Sequence, residues 1–346
     1  MTSDREPKVY LSSFANIPWL RIGLALVLSA IAIVVLARNV NLDEVRVAYS
    51  EANQAYIALA LLIMILTLFV KARRWQLMFV PEKKRPKYGP VYHAMLLGQF
   101  FNLILPMRIG DLARVYSLDS QTNAGKAKSL STLVIEKTLE IMGLILSVLL
   151  LIPFFVVPEF VLESGYPLAA VGIASLLILL YLAYRTDRVI HLVKRVASFL
   201  PDRIERRFTR VIVAGLEGLD ALRNWRLTLW LGILTFLSVV LAVMVPLALF
   251  LAFDLPFGIV EAVLLNVVVT LGMVPPSTPG KILVFEGLVI FMLTQFGIEN
   301  GSLMLSYAII FHLVVIVPQI LLGSISFARG GYRIPSSSGR EASTSS

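Results

Sequence analysis

The sequence contains no cysteine and only three histidines among its 346 residues, and these absences exclude several kinds of site. A chain without cysteine forms no disulfides, binds no metal through thiolates and has no cysteine nucleophile. His93, His191 and His312 are scattered, with no pair at ligand spacing, so we expect neither a metal site nor a cofactor. The sequence also lacks the G-x-S-x-G, P-loop and H-E-x-x-H motifs, so we expect no hydrolase, no ATP-driven pump and no enzymatic activity.

Charged residues are scarce as well. They make up 15% of the chain, whereas 58% of the residues are hydrophobic and the mean hydropathy is +0.82. A soluble domain has about 25% charged and roughly 45–50% apolar residues, so this composition is typical of an integral membrane protein. The apolar runs are long, as membrane helices require, and unlike the short alternating segments of membrane strands. The sequence therefore predicts an all-α polytopic membrane protein.

The charges that are present give a net charge of +9. Basic residues flank the apolar segments, so membrane orientation and anionic headgroups explain the excess better than nucleic acid does. We therefore expect anionic membrane lipids as partners and no nucleic acid. A homo-oligomer and a membrane-enzyme partner both remain open.

Six apolar segments have the roughly 20 residues that cross a hydrocarbon core of about 30 Å. They are residues 18–37, 53–72, 129–153, 166–184, 226–250 and 302–327. Two further apolar regions are ambiguous, namely residues 90–106 and the pair 258–275 and 282–297, which PPSTPGK separates.

The distribution of basic residues predicts the topology. Residues 71–90 contain seven basic residues and one acid, and residues 185–226 contain ten and five. By contrast, residues 38–54 contain two basic residues and three acids, and 154–166 contain no basic residue. The positive-inside rule places the first two regions in the cytoplasm and the other two outside. We therefore expect a multi-pass cell-membrane protein with both termini in the cytoplasm.

This topology makes residues 90–118 a re-entrant hairpin, because a full crossing would place the basic region 185–226 outside. The pair 258–275 and 282–297 starts and ends outside, either as a second re-entrant hairpin or as two full spans. The predicted fold thus has about six full transmembrane helices and two re-entrant or broken helical hairpins.

The two ambiguous regions resemble each other. AMLLGQFFNLILP at 94–106 aligns with AVLLNVVVTLGMVP at 262–275, with one extra residue in the second segment. Hairpins that enter from opposite faces are typical of an inverted repeat, and such repeats place substrate sites near the midplane at discontinuous helices. A chance match between two apolar, proline-containing stretches is the alternative.

The region 187–224 is polar but has apolar residues at helical spacing, which predicts a cytoplasmic amphipathic helix on the membrane surface. The tail 331–346 is rich in serine and is predicted to be disordered. No cytoplasmic loop is long enough for a soluble catalytic domain, so residues 1–330 are interpreted as one membrane domain.

The first candidate site is the motif N-x-x-x-P-x-R-x-G-D-x-x-R. It comprises Asn102, Pro106, Arg108, Gly110, Asp111 and Arg114. Proline ends a helix and glycine permits a tight return, so these residues predict a structural break. Arginine offers a planar fork that suits phosphate, and the aspartate can pair with either arginine. The motif predicts a phosphate-headgroup site, with an interfacial turn and snorkelling arginines as the alternative.

The second candidate is the charged group Glu136, Lys137 and Glu140, about two turns into the span 129–153. Glu136 and Glu140 lie at i and i+4 and share a helix face. Ionisable residues inside a membrane are functional candidates, here for gating or proton coupling. If the span instead begins at Ile141, they lie at the interface.

The third candidate is PPSTPGKILVFE. Pro275, Pro276, Pro279 and Gly280 are predicted to break the helix. Lys281 then stands at the start of the next half-helix as a headgroup contact, and Glu286 lies among apolar residues as a gating or proton-coupling group. A plain loop between two full spans is the alternative.

These motifs resemble the lysylphosphatidylglycerol synthase transmembrane-domain family, also called flippase-like domain or UPF0104-like proteins, over about residues 18–327. GQFFNLILPMRIGDLARVYSL is similar to the family's first signature, and Glu136-Lys137 is similar to the acidic-basic pair that follows it. PPSTPGKILVFE is similar to the second signature, P-x-x-P-G-G-x-G-x-x-E, except that Lys281 and Leu283 replace two glycines. The resemblance implies re-entrant elements and a lipid-translocating role, without the soluble transferase domain of the aminoacylated-lipid members.

Three hypotheses follow. The first is a flippase-like translocator of an anionic phospholipid or a polyprenyl-phosphate-linked lipid, in which Arg108 and Arg114 hold the phosphate and Asp111 orients them. The second is a membrane transferase that acts on a lipid phosphate with Asp111 or Glu136 as base. The third is a non-transporting membrane scaffold subunit.

Overall fold

The structure, a computed structural model, describes residue 50 and residues 52–81, 83, 85–104, 109–151, 159–197, 202–273 and 279–329. All regular secondary structure in these residues is helical. The predicted span 18–37 and the tail 331–346 lie outside the described residues.

The helices follow one another with short connections. In chain order they are α1 (Gln54–Leu77), α2 (Tyr88–Ile104), α3 (Ile109–Thr122), α4 (Lys126–Leu151), α5 (Glu159–Tyr184), α6 (Thr186–Ala197), α7 (Asp202–Glu217), α8 (Asp220–Arg223), α9 (Trp225–Ala252), α10 (Ile259–Gly272), α11 (Val284–Gln295) and α12 (Gly301–Ala328). A short 3₁₀ turn, Pro279–Lys281, precedes α11.

Three of these helices, α1, α9 and α12, are long and apolar enough to cross a membrane. This confirms the predicted spans 53–72, 226–250 and 302–327. Residues 169–184 of α5 are long enough for a fourth span only if the start of α6 is added to them. The axes of these two segments are bent by 87°. The 26-residue α4 contains five ionisable residues, among them Glu136, Lys137 and Glu140, which were predicted to lie inside a span. Six full spans are therefore not confirmed.

Helices α1 and α9 form the antiparallel centre of the bundle. The Asn53 amide donates to the Ala252 carbonyl at 2.7 Å where α1 begins and α9 ends, and Arg74 contacts Thr235 near their other ends. We call the end of the bundle where α1 finishes and α4 and α9 begin the basic end. Buried apolar side chains form one large cluster toward each end.

Helices α2 and α3 form a hairpin that leaves the basic end and returns to it. Gln76 donates to the Pro86 carbonyl just before α2, and Lys128, just after α3, donates to the Val80 carbonyl. The helices have 17 and 14 residues, or about 25 and 21 Å, which is shorter than a hydrocarbon core of about 30 Å. The first hairpin therefore has the geometry that the loop charges predict.

Two glycines allow the helices of the first hairpin to approach closely. A Cβ atom on Gly110 would lie 1.9 Å from the Gly98 carbonyl oxygen, and one on Gly98 would lie 2.8 Å from the Arg114 Cβ. Any larger side chain at Gly110 would have to push the backbones apart, so this position needs glycine.

Helices α10 and α11 form a second hairpin at the opposite end. They have only 14 and 12 residues, or about 21 and 18 Å. Phe257, just before α10, lies against Phe250 in the last turns of α9 and against Phe296 at the end of α11, with ring centroids 5.2 and 5.3 Å apart. Both outer ends of the hairpin therefore lie where α9 ends. Of the two alternatives for this region, these lengths favour a hairpin over two full spans.

The inner ends of the two hairpins meet inside the bundle. Helix α2 packs against the turn Pro279–Lys281, and this turn also contacts His312 near the middle of α12. Two short hairpins thus enter from opposite ends of the bundle, which is the arrangement that the inverted-repeat interpretation predicts.

The structure corrects the single amphipathic helix expected over residues 187–224, because α6, α7 and α8 divide this region. At Gly218, between α7 and α8, a Cβ atom would lie 2.9 Å from the Lys128 carbonyl oxygen. Leu216, Leu219 and Leu222 are buried in the protein core beside it. A continuous helix resting on a membrane surface would not bury these three residues in the bundle.

Candidate functional site

The polar residues of the first hairpin face one another across its two helices. The Asn102 amide, near the end of α2, donates to the Asp111 carboxylate in the first turn of α3 at 3.1 Å. Asp111 was expected to pair with Arg108 or Arg114, but Arg114 has another partner, described below. Pro106 and Arg108 lie outside the described residues.

Arg114 and Glu136 form a buried ion pair between α3 and α4. The two terminal nitrogens of Arg114 donate to the two carboxylate oxygens of Glu136 at 3.0 and 2.7 Å, and both side chains are at most 5% exposed. The guanidinium lies 3.6 Å from the centroid of the Trp75 ring, whose indole donates to Thr132. A bidentate, stacked arginine of this kind holds α1, α3 and α4 in register.

Glu140, one turn beyond Glu136, accepts three cations. Lys137 Nζ lies 3.0 Å, Arg74 Nη2 3.4 Å and Lys71 Nζ 3.8 Å from its carboxylate oxygens. Arg74 is completely buried and also donates to Thr235 on α9. Glu140 therefore links the basic end of α1 to α4.

These residues form one group, which we call the cationic cluster. It consists of Lys71, Arg74, Arg114, Glu136, Lys137 and Glu140. Four cations stand against two carboxylates, so the group carries an excess of positive charge. Arg74 and Arg114 are buried, whereas Lys71 and Lys137 are partly exposed, so the excess charge is accessible and suited to pair with an anion.

Lys71 and Arg74 were interpreted as loop charges, and this interpretation is wrong because α1 extends to Leu77. Their spacing carried the missing signal. Lys71, Arg74 and Trp75 lie at i, i+3 and i+4, so a helix that continues past residue 72 places them on one face. The apolar run ends before α1 does, because the buried face of its last turns is polar. Hydrophobicity alone therefore did not reveal the last turns of the helix.

Several buried polar atoms near the first hairpin have no hydrogen-bond partner among the described residues. They are Nε of Arg74 and Arg114, Oε1 of Gln99 and Oδ1 of Asn102. Unpaired buried groups are costly in free energy, at about 1–3 kcal/mol each. Their presence beside the cationic cluster fits a site that contacts polar ligand atoms or water.

The second hairpin has a strained turn at its inner end. Gly280, Lys281 and Leu283 all have positive φ, at 67°, 59° and 70°. Lys281 and Leu283 are the two residues that replace glycines in the resembling signature, and the left-handed conformation explains why glycine suits both positions. For a side-chain-bearing residue this conformation is unfavourable by about 1–2 kcal/mol.

Glu286 and His312 hold this turn. Glu286 accepts a hydrogen bond from the Leu283 amide at 2.7 Å and contacts His312 at 2.5 Å, while His312 reaches the Gly280 carbonyl. Lys281 donates to the Met273 carbonyl at the end of α10. Pro279 lies in the turn, and Pro275 and Pro276 lie outside the described residues. His312 was not selected from the sequence, and its only signal is a polar residue in the middle of an apolar span.

Comparisons with known proteins identify related membrane proteins. The model of the family described as the lysylphosphatidylglycerol synthase TM region matches residues 22–323. A UPF0104 membrane protein of Methanocaldococcus jannaschii is 26% identical over 178 residues, which are 51% of this chain and 53% of the relative. The chain thus spans about half the length of the curated relative that it matches. No solved structure matches the chain.

Proposed function

We propose that this chain, which belongs to the family of the lysylphosphatidylglycerol synthase transmembrane region, translocates an anionic, phosphate-bearing lipid across the cell membrane. The substrate class covers phospholipids and polyprenyl-phosphate-linked lipids. The observation that carries the proposal is the excess positive charge of the cationic cluster beside the first hairpin.

The cluster supports an anionic substrate by its charge. Glu136 and Glu140 neutralise only two of the four positive charges. A phosphate group near Lys71 and Lys137 would neutralise the remaining positive charge. These two lysines are 32% and 45% exposed, so their ammonium groups can reach a headgroup. Arg114 is 4% exposed and both of its terminal nitrogens donate to Glu136, so we assign it the role of positioning the hairpin. Arg114 was expected to bind the phosphate directly, and this assignment revises that expectation. For Arg108, direct binding of the phosphate stays a prediction.

The hairpins support translocation by their arrangement. Short helices that enter from opposite ends and meet inside the bundle are the usual setting of a substrate site with alternating access. Each hairpin can open toward its own end of the bundle while the other stays closed. A lipid headgroup would pass between the inner ends, near Asn102 on one side and Lys281 on the other.

The same contacts weigh against a transferase. A general base needs a free carboxylate oxygen near the group that it deprotonates. Both oxygens of Glu136 are occupied by Arg114, so Glu136 has no free oxygen for this role, and Oδ1 of Asp111 accepts from Asn102. We therefore propose transport without a chemical step.

The test is lipid transport in proteoliposomes that contain a fluorescent phosphatidylglycerol analogue. Dithionite added outside bleaches only outward-facing lipid, so the bleaching time course gives the transport rate. Lys137→Gln and Arg108→Ala should each lower the rate about tenfold or more, because a hydrogen bond to a charged group contributes roughly 1.5–3 kcal/mol.

Lys87→Gln is the matched control, since it removes the same charge from an exposed position at the basic end. It should leave the rate within about twofold of the parent, as a surface charge contributes little. Transport by both Lys137→Gln and Arg108→Ala at the parental rate would overturn the site, and no transport by the parent chain would overturn the function.

A further inference from the structure

The ring of His312 lies between two hydrogen-bond acceptors. Its Nδ1 is 2.5 Å from Oε1 of Glu286, and its Nε2 is 3.0 Å from the Gly280 carbonyl oxygen. A neutral imidazole has one donor and one acceptor nitrogen, whereas a carbonyl oxygen and a carboxylate only accept. Neutral histidine with an ionised Glu286 would therefore leave one nitrogen facing an acceptor without a proton.

The geometry therefore specifies how many protons the pair holds. Both contacts are satisfied if His312 is doubly protonated beside an ionised Glu286. They are satisfied equally if a protonated Glu286 donates to a neutral His312. Each case holds one proton more than the combination of neutral histidine and carboxylate, so the count does not depend on which residue carries the proton.

These contacts join three parts of the second hairpin. Oε2 of Glu286 accepts from the Leu283 amide, Oε1 contacts His312 on α12, and His312 contacts Gly280. The turn between Gly280 and Leu283 has three residues with positive φ, so these hydrogen bonds retain a strained conformation. The pair is therefore positioned to control whether the turn stays in place.

The surroundings leave Glu286 as the main electrostatic partner of His312. The histidine is 3% exposed, and the ring of Phe285 stacks on it at a centroid distance of 4.5 Å. The other titratable groups on elements packed against α12 lie in the turn, on α2, on α1, on α9 and on α12 itself. They are Lys281, Tyr88, His93, Tyr92, Tyr56, Lys71, Arg73, Arg74, Arg226 and Tyr307. None of these groups bonds to the ring among the described residues, whereas Glu286 does.

We propose that Glu286, His312 and the Gly280 carbonyl form a proton-binding latch on the second hairpin. The closed latch holds one proton, and opening of the turn releases that proton to water. Binding of a proton therefore favours the closed turn, and a rise in pH favours the open one. The proposal is independent of the translocated substrate, because it concerns the turn alone.

The chain without cysteine offers a direct test. A nitroxide spin label on Leu283→Cys, in the full chain in detergent, reports the mobility of the turn by electron paramagnetic resonance. Leu283 is 69% exposed, so the label has room. The ratio of mobile to immobile label should rise about tenfold per pH unit over the titration, since opening releases one proton. A label on Gln295→Cys, at the exposed end of α11, should show no such change.

Glu286→Gln in the labelled chain separates the latch from other pH effects. The glutamine amide can donate to a neutral His312 while its oxygen accepts from Leu283, so the turn should stay immobile at every pH. His312→Leu removes both ring contacts and should leave the turn mobile at every pH. A parental turn whose mobility does not change between about pH 5 and about pH 9 would overturn the latch. The same pH dependence in Glu286→Gln, or an immobile turn in His312→Leu, would do so as well.

Discussion

At the scale of the residue, the cationic cluster contains charges with two different roles. Arg114 is buried, stacked on Trp75 and held by both oxygens of Glu136. Lys137 is 45% exposed and contacts Glu140 alone among the described acids. Burial decides which role a charge takes, because a buried ion must keep its partner whereas an exposed one can exchange it for a ligand or for water.

The stability of the protein should depend on Arg114 much more than on Lys137. Arg114→Leu leaves Glu136 buried without a counter-charge, and breaking such a pair is unfavourable by about 3–5 kcal/mol. Lys137→Gln should change the free energy of unfolding by at most about 1 kcal/mol. Thermal unfolding of both variants in the same detergent measures the difference.

The double variant Arg114→Leu/Glu136→Leu is the informative control for that comparison. It removes both charges and should recover much of the stability lost in Arg114→Leu, because no unpaired carboxylate remains. A double variant as unstable as the single one would show that the contact of Arg114 with Trp75, and not its charge, holds the three helices.

At the scale of the element, the first hairpin depends on the close approach of its two helices. Gly98 on α2 and Gly110 on α3 bring the backbones together, and Asn102 then reaches Asp111. The hairpin is short, so a change in the distance between its helices would move Arg114 away from Glu136. The glycines thus determine the geometry of the site from outside it.

Gly110→Ala should destabilise the protein even though alanine is the better helix former. The gain in helix propensity is about 1 kcal/mol, whereas a Cβ atom 1.9 Å from the Gly98 oxygen forces a backbone shift of about 1–3 kcal/mol or more. Gly232→Ala, in the interior of α9 with no atom within 4 Å of the added Cβ, should stabilise the protein by up to about 1 kcal/mol. Opposite shifts in unfolding temperature would support this account, and a stabilised Gly110→Ala would contradict it.

The sequence predicts the elements of this protein better than their contacts. Apolar runs locate α1, α9 and α12, and proline and glycine locate both breaks, because these signals are local. The true end of α1 was missed because Lys71 and Arg74 are charged, and their burial depends on acids of α4 that are distant in sequence. The partnership of Glu286 with His312 was missed for the same reason, as it spans 26 positions.

At the scale of the whole molecule, the two hairpins divide the protein into two ends of different charge. The basic end carries the regions 71–90 and 185–226, whereas α9 ends and α12 begins at the other. The positive-inside rule predicts that the basic end lies in the cytoplasm. The first hairpin would open to the cytoplasm and the second to the outside.

This orientation can be measured in intact cells with single cysteines. A membrane-impermeant maleimide should label Asp254→Cys, at the exposed end of α9, and should label Lys87→Cys only after the cells are permeabilised. The chain has no cysteine of its own, so the background is low. Labelling of Lys87→Cys in intact cells would reverse the assignment.

Helix α12 touches both hairpins at once. Its His312 holds the turn of the second hairpin, and its Gly323 lies so close to the first that a Cβ atom there would be 2.5 Å from the Cβ of Phe100. The two contacts are about 16 Å apart along one continuous helix. If lipid binding moves the first hairpin against this helix, the two binding equilibria are coupled. Lipid binding then changes the proton affinity of the protein by the same factor by which proton binding changes its lipid affinity. The pH dependence of lipid affinity and the lipid dependence of proton release would then be two measurements of one coupling free energy.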